Sequence, residues 1–221
     1  MSHTILLRGK VVDKGKMPEI IVSPKGMSEE RRNLYTNSEL FGDKGWTKYH
    51  SDWYELELAF KDLEPKSLLN VGLGTENETG KWLGFIHNIM PSLKSFCSIE
   101  LNQQLITAKF DSENAFYNNL YCCDVRHLDI LANVEEMDVI FWSHGPEHIT
   151  RPEWEKTFAI LERTANKAVI LQCPWGNGYD WMSEHVSKSV RKGEFEKFGY
   201  HTLYNGNEDT PYAGILAWKI K

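Results

Sequence analysis

The chain has 221 residues and a net charge of −6, with 41% hydrophobic and 25% charged residues. This length suits one α/β domain with an appendage, and the composition is that of a globular protein rather than a disordered one. The acidic balance argues against a nucleic-acid surface, which usually needs a clustered basic face, and no apolar run approaches the roughly 18 residues that span a bilayer. We therefore expect neither nucleic acid nor a membrane as a partner.

The four cysteines lie in apolar, strand-like runs and lack the C-x-x-C spacing of metal or redox sites. We expect reduced thiols that act as small core residues. The N-terminus has no signal-peptide pattern, because its apolar core is short and no small-residue cleavage site follows. Both features predict a cytoplasmic protein. The cysteines are Cys97, Cys122, Cys123 and Cys173.

Residues 1–66 differ in pattern from the rest of the chain. They mix short apolar runs with proline and glycine, and a helical pattern begins near Ser51 and stops before Pro65. We predict an N-terminal extension or lid whose single helix packs on a core domain of residues 67–221.

From Ser67 onward, strand-like and helix-like segments alternate. Five βα units predict a mostly parallel sheet with right-handed crossovers and helices on both faces. The last two strands are separated only by "GNEDTP", which is too short for a helical crossover and predicts an antiparallel hairpin. The predicted fold is thus α/β and Rossmann-like, with seven strands: SLLNVGL, KSFCSIEL, NLYCCDV, MDVIFWS, KAVILQC, YHTLYN and AGILAWKI.

A glycine loop, "NVGLGTE", closes the first of these strands with Gly72 and Gly74, and Glu76 and Glu78 follow. Such a loop lets the backbone approach a ligand, and the next helix start offers free N–H groups. A dinucleotide would place its pyrophosphate there. A phosphate about 5 Å from a carboxylate costs roughly 3 kcal/mol at an effective dielectric of about 20. The two glutamates therefore favour a cationic nucleoside ligand.

The ordered landmarks of this chain resemble those of the class I S-adenosylmethionine-dependent methyltransferases, and the bacterial type 11-like domains in particular. The family's glycine loop corresponds to "NVGLGTE", and the acidic residue that closes its second strand corresponds to Glu100. Asp124 is similar to the acidic residue after the third strand, and "DVIFWSHGPEHI" resembles the segment after the fourth. The resemblance covers residues 67–221. It implies a methyltransferase fold and S-adenosyl-L-methionine as the cofactor.

The resemblance also implies which residues contact the cofactor. Glu100 can accept hydrogen bonds from both ribose hydroxyls, and Asp124 can accept one from the adenine amino group while Val125 packs on the ring. Two alternatives stay open, since Glu100 can instead cap the following helix and Asp124 can be an N-cap. Asn70 stands where the family usually has an acid, and it lacks the charge that favours a cation. The candidate cofactor residues are Asn70, Gly72, Gly74, Glu100, Asp124, Val125 and Ser143.

The segment "SHGPEH" contains H-x-x-E-H, the inverted zinc-protease pattern. Gly145 and Pro146 interrupt the helix that this pattern requires, so a protease is disfavoured. In metal-dependent methyltransferases, E-x-x-E-H at this position binds magnesium. Here His144 replaces the first glutamate, which shifts the preference away from hard cations. We expect Glu147 and His148 to shape the loop, and we expect no metal ion.

Methyl transfer is an in-line displacement from a sulfonium, in which the enzyme orients the acceptor and excludes water. An oxygen or nitrogen acceptor often needs a base, and a histidine suits that task. His148 is the first candidate for this base, and His144 and His185 are weaker candidates. Trp175, Tyr179 and His185 follow the fifth strand, where open α/β sheets bind ligands, and they are candidates for the acceptor pocket. Ordinary loop packing is the alternative for the aromatic residues.

The sequence thus predicts a methyltransferase that modifies an oxygen or nitrogen atom of a small-molecule or glycan-like acceptor. The alternative is a catalytically silent, methyltransferase-like binding or partner subunit, for which Asn70 and the unusual His144 are the motivation. A nucleotide-dependent oxidoreductase is disfavoured by the two glutamates after the glycine loop.

Overall fold

The computed structural model describes residues 5–7, 10–12, 50–73, 86, 89–102, 106, 119–131, 137–177, 180, 183–208 and 213–221. Gly74 and Tyr179, two of the candidate site residues, lie outside the described residues, as do Glu76 and Glu78. In the part of the chain that is described, no helix is both long and apolar enough to cross a membrane. All four cysteines are described, and they are buried thiols outside any disulfide.

The core of the fold is a seven-stranded sheet with the order β5-β4-β3-β6-β7-β9-β8. The first four pairings in that order are parallel, whereas β9 pairs antiparallel with both β7 and β8. The predicted mostly parallel sheet with an antiparallel C-terminal hairpin is therefore confirmed. The strands are β3 (Ser67–Val71), β4 (Ser95–Glu100), β5 (Asn119–Cys122), β6 (Val139–Ser143), β7 (Ala168–Pro174), β8 (His201–Asn205) and β9 (Gly214–Ile220). A separate antiparallel pair joins β1 (Ile5–Leu7) to β2 (Lys10–Val12).

Helices cover both faces of this sheet, and its central strands are accordingly buried at nearly every position. Leu69 lies in one core with Phe158 of helix α2 (Arg151–Thr164). Leu68, the preceding residue, lies in the opposite core with Phe60 of helix α1 (His50–Phe60). Successive strand residues face opposite sides, so one apolar strand supplies both cores. Helix α1 is the helix predicted for the end of the N-terminal extension; the extension's boundary and its lid role stay predictions.

Other predicted helices differ in how far the structure bears them out. Helix α2 begins as the sequence indicates, with a capping box in which Thr150 and Glu153 satisfy each other's backbone N–H groups. Ile86 and Ile106, in the first two predicted crossover segments, are helical and buried. The third predicted helix is instead a 3-10 helix, Val125–Ile130, whose regular geometry is broken at His127 (φ −129°, ψ 21°).

Candidate functional site

The candidate site is built at the carboxyl ends of the parallel strands, and its first part joins the loop after β3 to the end of β4. Gly72 has φ +85°, a left-handed conformation that glycine adopts without strain. Its N–H donates to the carbonyl of Ile99 at 2.9 Å, and the next N–H, of Leu73, donates to Oε2 of Glu100 at 2.9 Å. The turn thus brings the backbone of this loop against the carboxylate that closes β4.

The side chain of Asn70, in β3, also holds this turn in place. Its side-chain nitrogen donates to the carbonyl of Gly72 at 2.5 Å and lies 3.4 Å from Oγ of Ser98, whose hydroxyl donates to the Asn70 carbonyl at 2.9 Å. Both Asn70 and Ser98 are buried. A carboxylate at this position could not donate to the Gly72 carbonyl. The asparagine that departs from the family pattern therefore has a structural role that an acid could not fill.

The carboxylate of Glu100 accepts two hydrogen bonds from the residues that the structure describes. Oε2 accepts from Leu73 and Oε1 accepts the N–H of Asn102 at 2.8 Å. A carboxylate offers about four lone-pair sites, so these two bonds do not by themselves exhaust its capacity to accept from a ligand. Glu100 can thus cap the backbone that follows β4 and still accept a hydrogen bond from a ligand.

Asp124 carries out the N-cap role that the sequence left open. Its Oδ1 accepts the backbone N–H of Arg126 at 2.9 Å, and the guanidinium of Arg126 contacts both carboxylate oxygens. The same guanidinium donates to Glu153 of α2 at 2.8 Å. Partial burial would raise the pKa of Asp124, but the hydrogen bonds and charge of Arg126 outweigh it and lower that pKa. Val125, beside it, is half-buried and packs against the core.

The end of β6 is tied to β7 at the point where the "SHGPEH" segment begins. The Ser143 hydroxyl donates to the side-chain oxygen of buried Gln172 at 3.0 Å, and the N–H of His144 donates to the Gln172 carbonyl at 2.8 Å. His144 has φ +48°, which is rare for a residue other than glycine. Such strain concentrates at functional sites.

The loop after β6 is fixed by close packing. A Cβ on Gly145 would overlap the indole of Trp142, so glycine is required there by space rather than by φ. The indole N–H of Trp154 donates to the carbonyl of Pro146 at 2.8 Å. Pro146–His148 forms a single 3-10 turn, and the α-helix that a zinc-protease motif needs is absent from this described segment. The predicted interruption of that helix at Gly145 and Pro146 is therefore confirmed.

Glu147 is the buried centre of this loop. The residue is 1% exposed, and neither carboxylate oxygen accepts a hydrogen bond from the residues that the structure describes. The nearest cationic or imidazole nitrogens are Nδ1 of His144 at 3.5 Å and Nε2 of His185 at 4.0 Å from Oε1. Burial of a carboxylate without hydrogen bonds is costly, so this arrangement needs a compensating cation or donor.

His148 and His185 complete a compact cluster with Glu147. The two imidazole rings are 5.0 Å apart in an edge-to-face arrangement, and one ligand atom from each of the three side chains lies within 4.8 Å of the others. Nδ1 of His148 lies 3.2 Å from the Glu184 carbonyl. Burial lowers the pKa of His185, while the charge of Glu147 opposes this change. These three residues could hold a metal ion.

The candidate acceptor residues separate in the structure. His185 lies in the cluster beside Glu147, whereas Trp175 is buried under its own loop. The Trp175 ring packs edge-to-face on Tyr204 at 5.5 Å, and the ammonium of Lys192 lies 5.1 Å above it. This placement favours the packing alternative for Trp175. Contact of Trp175 and His185 with an acceptor stays a prediction.

Two contributors to the site were missed from the sequence: Arg126 joins Asp124 to α2, and Gln172 holds the start of the loop after β6. Glu147 was expected only to shape its loop, and the structure shows in addition that its carboxylate is buried. The buried position of Glu147 had one signal in the sequence, since it sits between the apolar β6 and the amphipathic α2. Nothing in the local sequence marks Gln172.

Comparisons with known proteins place this geometry in a fold. No protein-family model matches the sequence, and neither does any curated protein. Solved structures do match, among them a SAM-dependent methyltransferase from Archaeoglobus fulgidus, with 13% identity and a TM-score of 0.55 over 86% of this chain and 99% of that one.

Two further structures are similar to this chain. The methyltransferase domain of bacterial CtHen1 is 14% identical, with a TM-score of 0.53 over 79% of this chain and 100% of that one. The magnesium protoporphyrin IX methyltransferase from Synechocystis PCC 6803, solved with bound SAM, is 10% identical, with a TM-score of 0.52 over 90% of this chain and 100% of that one. At these identities the likeness shows the fold, which is that of the class I SAM-dependent methyltransferases.

Proposed function

We propose that this protein is an S-adenosyl-L-methionine-dependent methyltransferase that transfers a methyl group to an oxygen or nitrogen atom of a small-molecule or glycan-like acceptor. The observation that carries the proposal is the junction of β3 and β4, where the loop after β3 is held against Glu100 and the described residues occupy only two of the lone-pair sites of that carboxylate. The fold and the solved neighbours with bound SAM support the choice of cofactor.

In this proposal the cofactor lies along the carboxyl ends of β3, β4 and β5. Glu100 accepts from the ribose hydroxyls, and Gly72 lets the backbone approach the ligand. Asp124 and Val125 flank the adenine, with the Asp124 carboxylate held in place by Arg126. Asn70 and Ser143 act at the strand ends, next to the methionine part of the cofactor.

The proposed reaction is one in-line displacement. A lone pair of the acceptor oxygen or nitrogen attacks the methyl carbon, and the S–CH₃ bond breaks as the new bond forms. The bonding pair stays on sulfur, which leaves neutral S-adenosylhomocysteine. The acceptor proton passes to a base on the loop after β6, for which His148 and His144 are the candidates because both are exposed.

The net charge of the chain is the support for the proposed acceptor class. A net charge of −6 does not favour a polyphosphate or nucleic acid. His185, near the base candidates, is the proposed acceptor-side residue. Trp175, in the loop after β7, stays a second candidate although its packing on Tyr204 favours a structural role.

The first experiment is a calorimetric titration of the full chain with S-adenosylmethionine and S-adenosylhomocysteine, with NADH as the control. Micromolar binding of the first two without NADH binding would support the cofactor assignment and justify an acceptor screen. No binding of either would overturn it and favour the alternative, a catalytically silent subunit. Binding of NADH alone would instead favour an oxidoreductase.

A further inference from the structure

We propose that Glu147, His148 and His185 form a binding site for one divalent first-row transition-metal ion, with His144 at its solvent side. The inference rests in part on the proposed function, because the site borders the loop assigned to methyl transfer. It departs from the expectation, drawn from the sequence alone, that no metal ion is bound.

The buried carboxylate of Glu147 is the first support for this site. Both of its oxygens are buried without a hydrogen bond from the described chain, yet two imidazole nitrogens approach Oε1 to 3.5 and 4.0 Å. A bound metal ion lies about 2.0–2.2 Å from each nitrogen or oxygen ligand, so two ligand atoms of one ion are roughly 3–4 Å apart. The 4.0 Å between Oε1 of Glu147 and Nε2 of His185 has this spacing, as does the 3.5 Å from Oε1 to Nδ1 of His144. The ligand atoms of Glu147, His148 and His185 lie within 4.8 Å of one another, so an ion would draw this set slightly closer together. An ion there would supply the positive charge that the carboxylate lacks.

The second support is the fixed geometry of the ligands. The N–H groups of Val186 and Ser187 donate to the Glu147 carbonyl at 2.9 and 3.0 Å, and this joins the loop after β7 to the loop after β6. The Ser187 hydroxyl donates to the Ile149 carbonyl at 2.6 Å. Metal sites are typically held by such outer contacts, which orient the ligands before the ion arrives.

The imidazole ring of His148 is likewise oriented by an outer contact. Its Nδ1 lies 3.2 Å from the Glu184 carbonyl, a contact in which Nδ1–H is the donor. The lone pair is then on Nε2, the atom free to bind a metal ion. In a metal-binding histidine, the ring nitrogen that does not bind the metal usually donates a hydrogen bond to a group such as a backbone carbonyl.

The ligand types decide the class of metal. Magnesium and calcium prefer sites made almost wholly of oxygen atoms. Two imidazoles and one carboxylate suit zinc, cobalt, manganese or iron in the divalent state, and a third imidazole from His144 would strengthen that preference. His144 is half exposed, so the site is open on the side where an acceptor would enter.

A metal ion in this position would act as a Lewis acid that lowers the pKa of a bound acceptor hydroxyl. His148 would then be a ligand and not the base. The acceptor proton would then pass to water, because His144 lies where it can complete the ligand set.

The test uses the full-length protein, stripped with chelator and titrated with Co²⁺, whose visible absorption reports its coordination. Zn²⁺ and Mg²⁺ serve as competitors. The variants are Glu147→Gln, His185→Gln and His148→Ala; the last replaces an exposed side chain and carries the least risk to folding. His201→Ala is the matched control, since His201 is an exposed histidine on β8. Circular dichroism checks the fold of each variant.

We expect one Co²⁺ per chain, displaced by Zn²⁺ but not by Mg²⁺. The affinity for Co²⁺ should fall by about 10-fold or more in the three cluster variants, because even the loss of a residue that only orients a metal ligand costs about that much. The affinity of His201→Ala should equal that of the wild type. Absence of binding in the wild type, equal binding in folded cluster variants, or tighter binding of Mg²⁺ would overturn the inference.

Cofactor titration on the same samples separates this inference from the proposed function. S-adenosylmethionine binding without Co²⁺ binding would overturn only the metal site. Co²⁺ binding that depends on the cluster, in a protein that binds neither S-adenosylmethionine nor S-adenosylhomocysteine, would support the metal site and overturn the proposed function.

Discussion

The carboxylate of Glu100, the last residue of β4, accepts the backbone N–H of Leu73 in the loop after β3 at 2.9 Å. Strand β4, the parallel neighbour of β3, thus holds the glycine loop through the Glu100 side chain as well as through the backbone hydrogen bonds of the sheet. The same carboxylate is the one proposed to bind the cofactor ribose. If that proposal holds, a single residue couples the position of the loop to ligand binding.

Glu100→Ala is expected to weaken S-adenosylmethionine binding by about 1.5–3 kcal/mol, the range for hydrogen bonds to a charged group. Glu100→Gln should lose less, because the amide keeps one acceptor oxygen. Calorimetry measures both, and Glu155→Ala, an exposed glutamate on α2, is the control. Wild-type affinity in Glu100→Ala would remove the ribose assignment for this residue.

Gly72→Ala and Gly145→Ala should be destabilising for different reasons. No described residue lies within 4 Å of a Cβ on Gly72, so the expected cost there is that of the left-handed backbone, about 1–2 kcal/mol. A Cβ on Gly145 meets the Trp142 indole, and overpacking of this kind costs about 1–3 kcal/mol.

The two glycines can be distinguished by urea unfolding. Trp142→Phe removes the indole atoms nearest to Gly145, so the double variant should lose less stability than the two single losses added together. Additive losses for Gly145→Ala and Trp142→Phe would contradict the packing explanation. The Gly72→Ala loss should be additive with Trp142→Phe.

His148→Ala should reduce turnover while cofactor affinity stays near that of the wild type, because His148 lies on the loop after β6 and not on β3 or β4. His201→Ala, far along the chain on β8, should retain turnover. A pH series separates the two roles proposed for His148. Loss of a base should be relieved as the pH rises, whereas loss of a metal ligand should not. Full activity in His148→Ala with a competent acceptor would exclude both roles.

Arg126→Met should lower the free energy of unfolding by about 1 kcal/mol at neutral pH, since the side chain is 42% exposed and water screens its ion pairs. Arg126 lowers the pKa of Asp124 and of Glu153. These lowered values stabilise the fold above the unfolded pKa of each acid, about 4, and the benefit is lost as the pH falls through the folded pKa.

The difference between wild type and Arg126→Met should therefore be constant from neutral pH down to about pH 5 and shrink below about pH 4. Urea unfolding at a series of pH values measures it. Arg163→Met, an exposed arginine on the same helix as Glu153, should show no such pH dependence. A difference that grows on acidification would show that the ion pairs do not stabilise the fold.

Much of the fold was determined by the sequence alone. Apolar runs such as the one in β7 are buried along their whole length, and a run of that kind between helical segments specifies a parallel strand. The short link before β9 forced an antiparallel return. Asp124 followed the N-cap pattern, since capping depends on neighbours in the chain.

The tertiary structure decided which side chains meet at the candidate site. His185 is far from Glu147 in sequence, and the two meet because β6 and β7 are parallel neighbours whose carboxyl ends lie at one edge of the sheet. Trp175 could not be assigned to packing or to a pocket from sequence, since both roles use the same ring in the same loop. Local patterns fix elements because their causes are local; a cluster of charges and ligands depends on distances that only the folded chain sets.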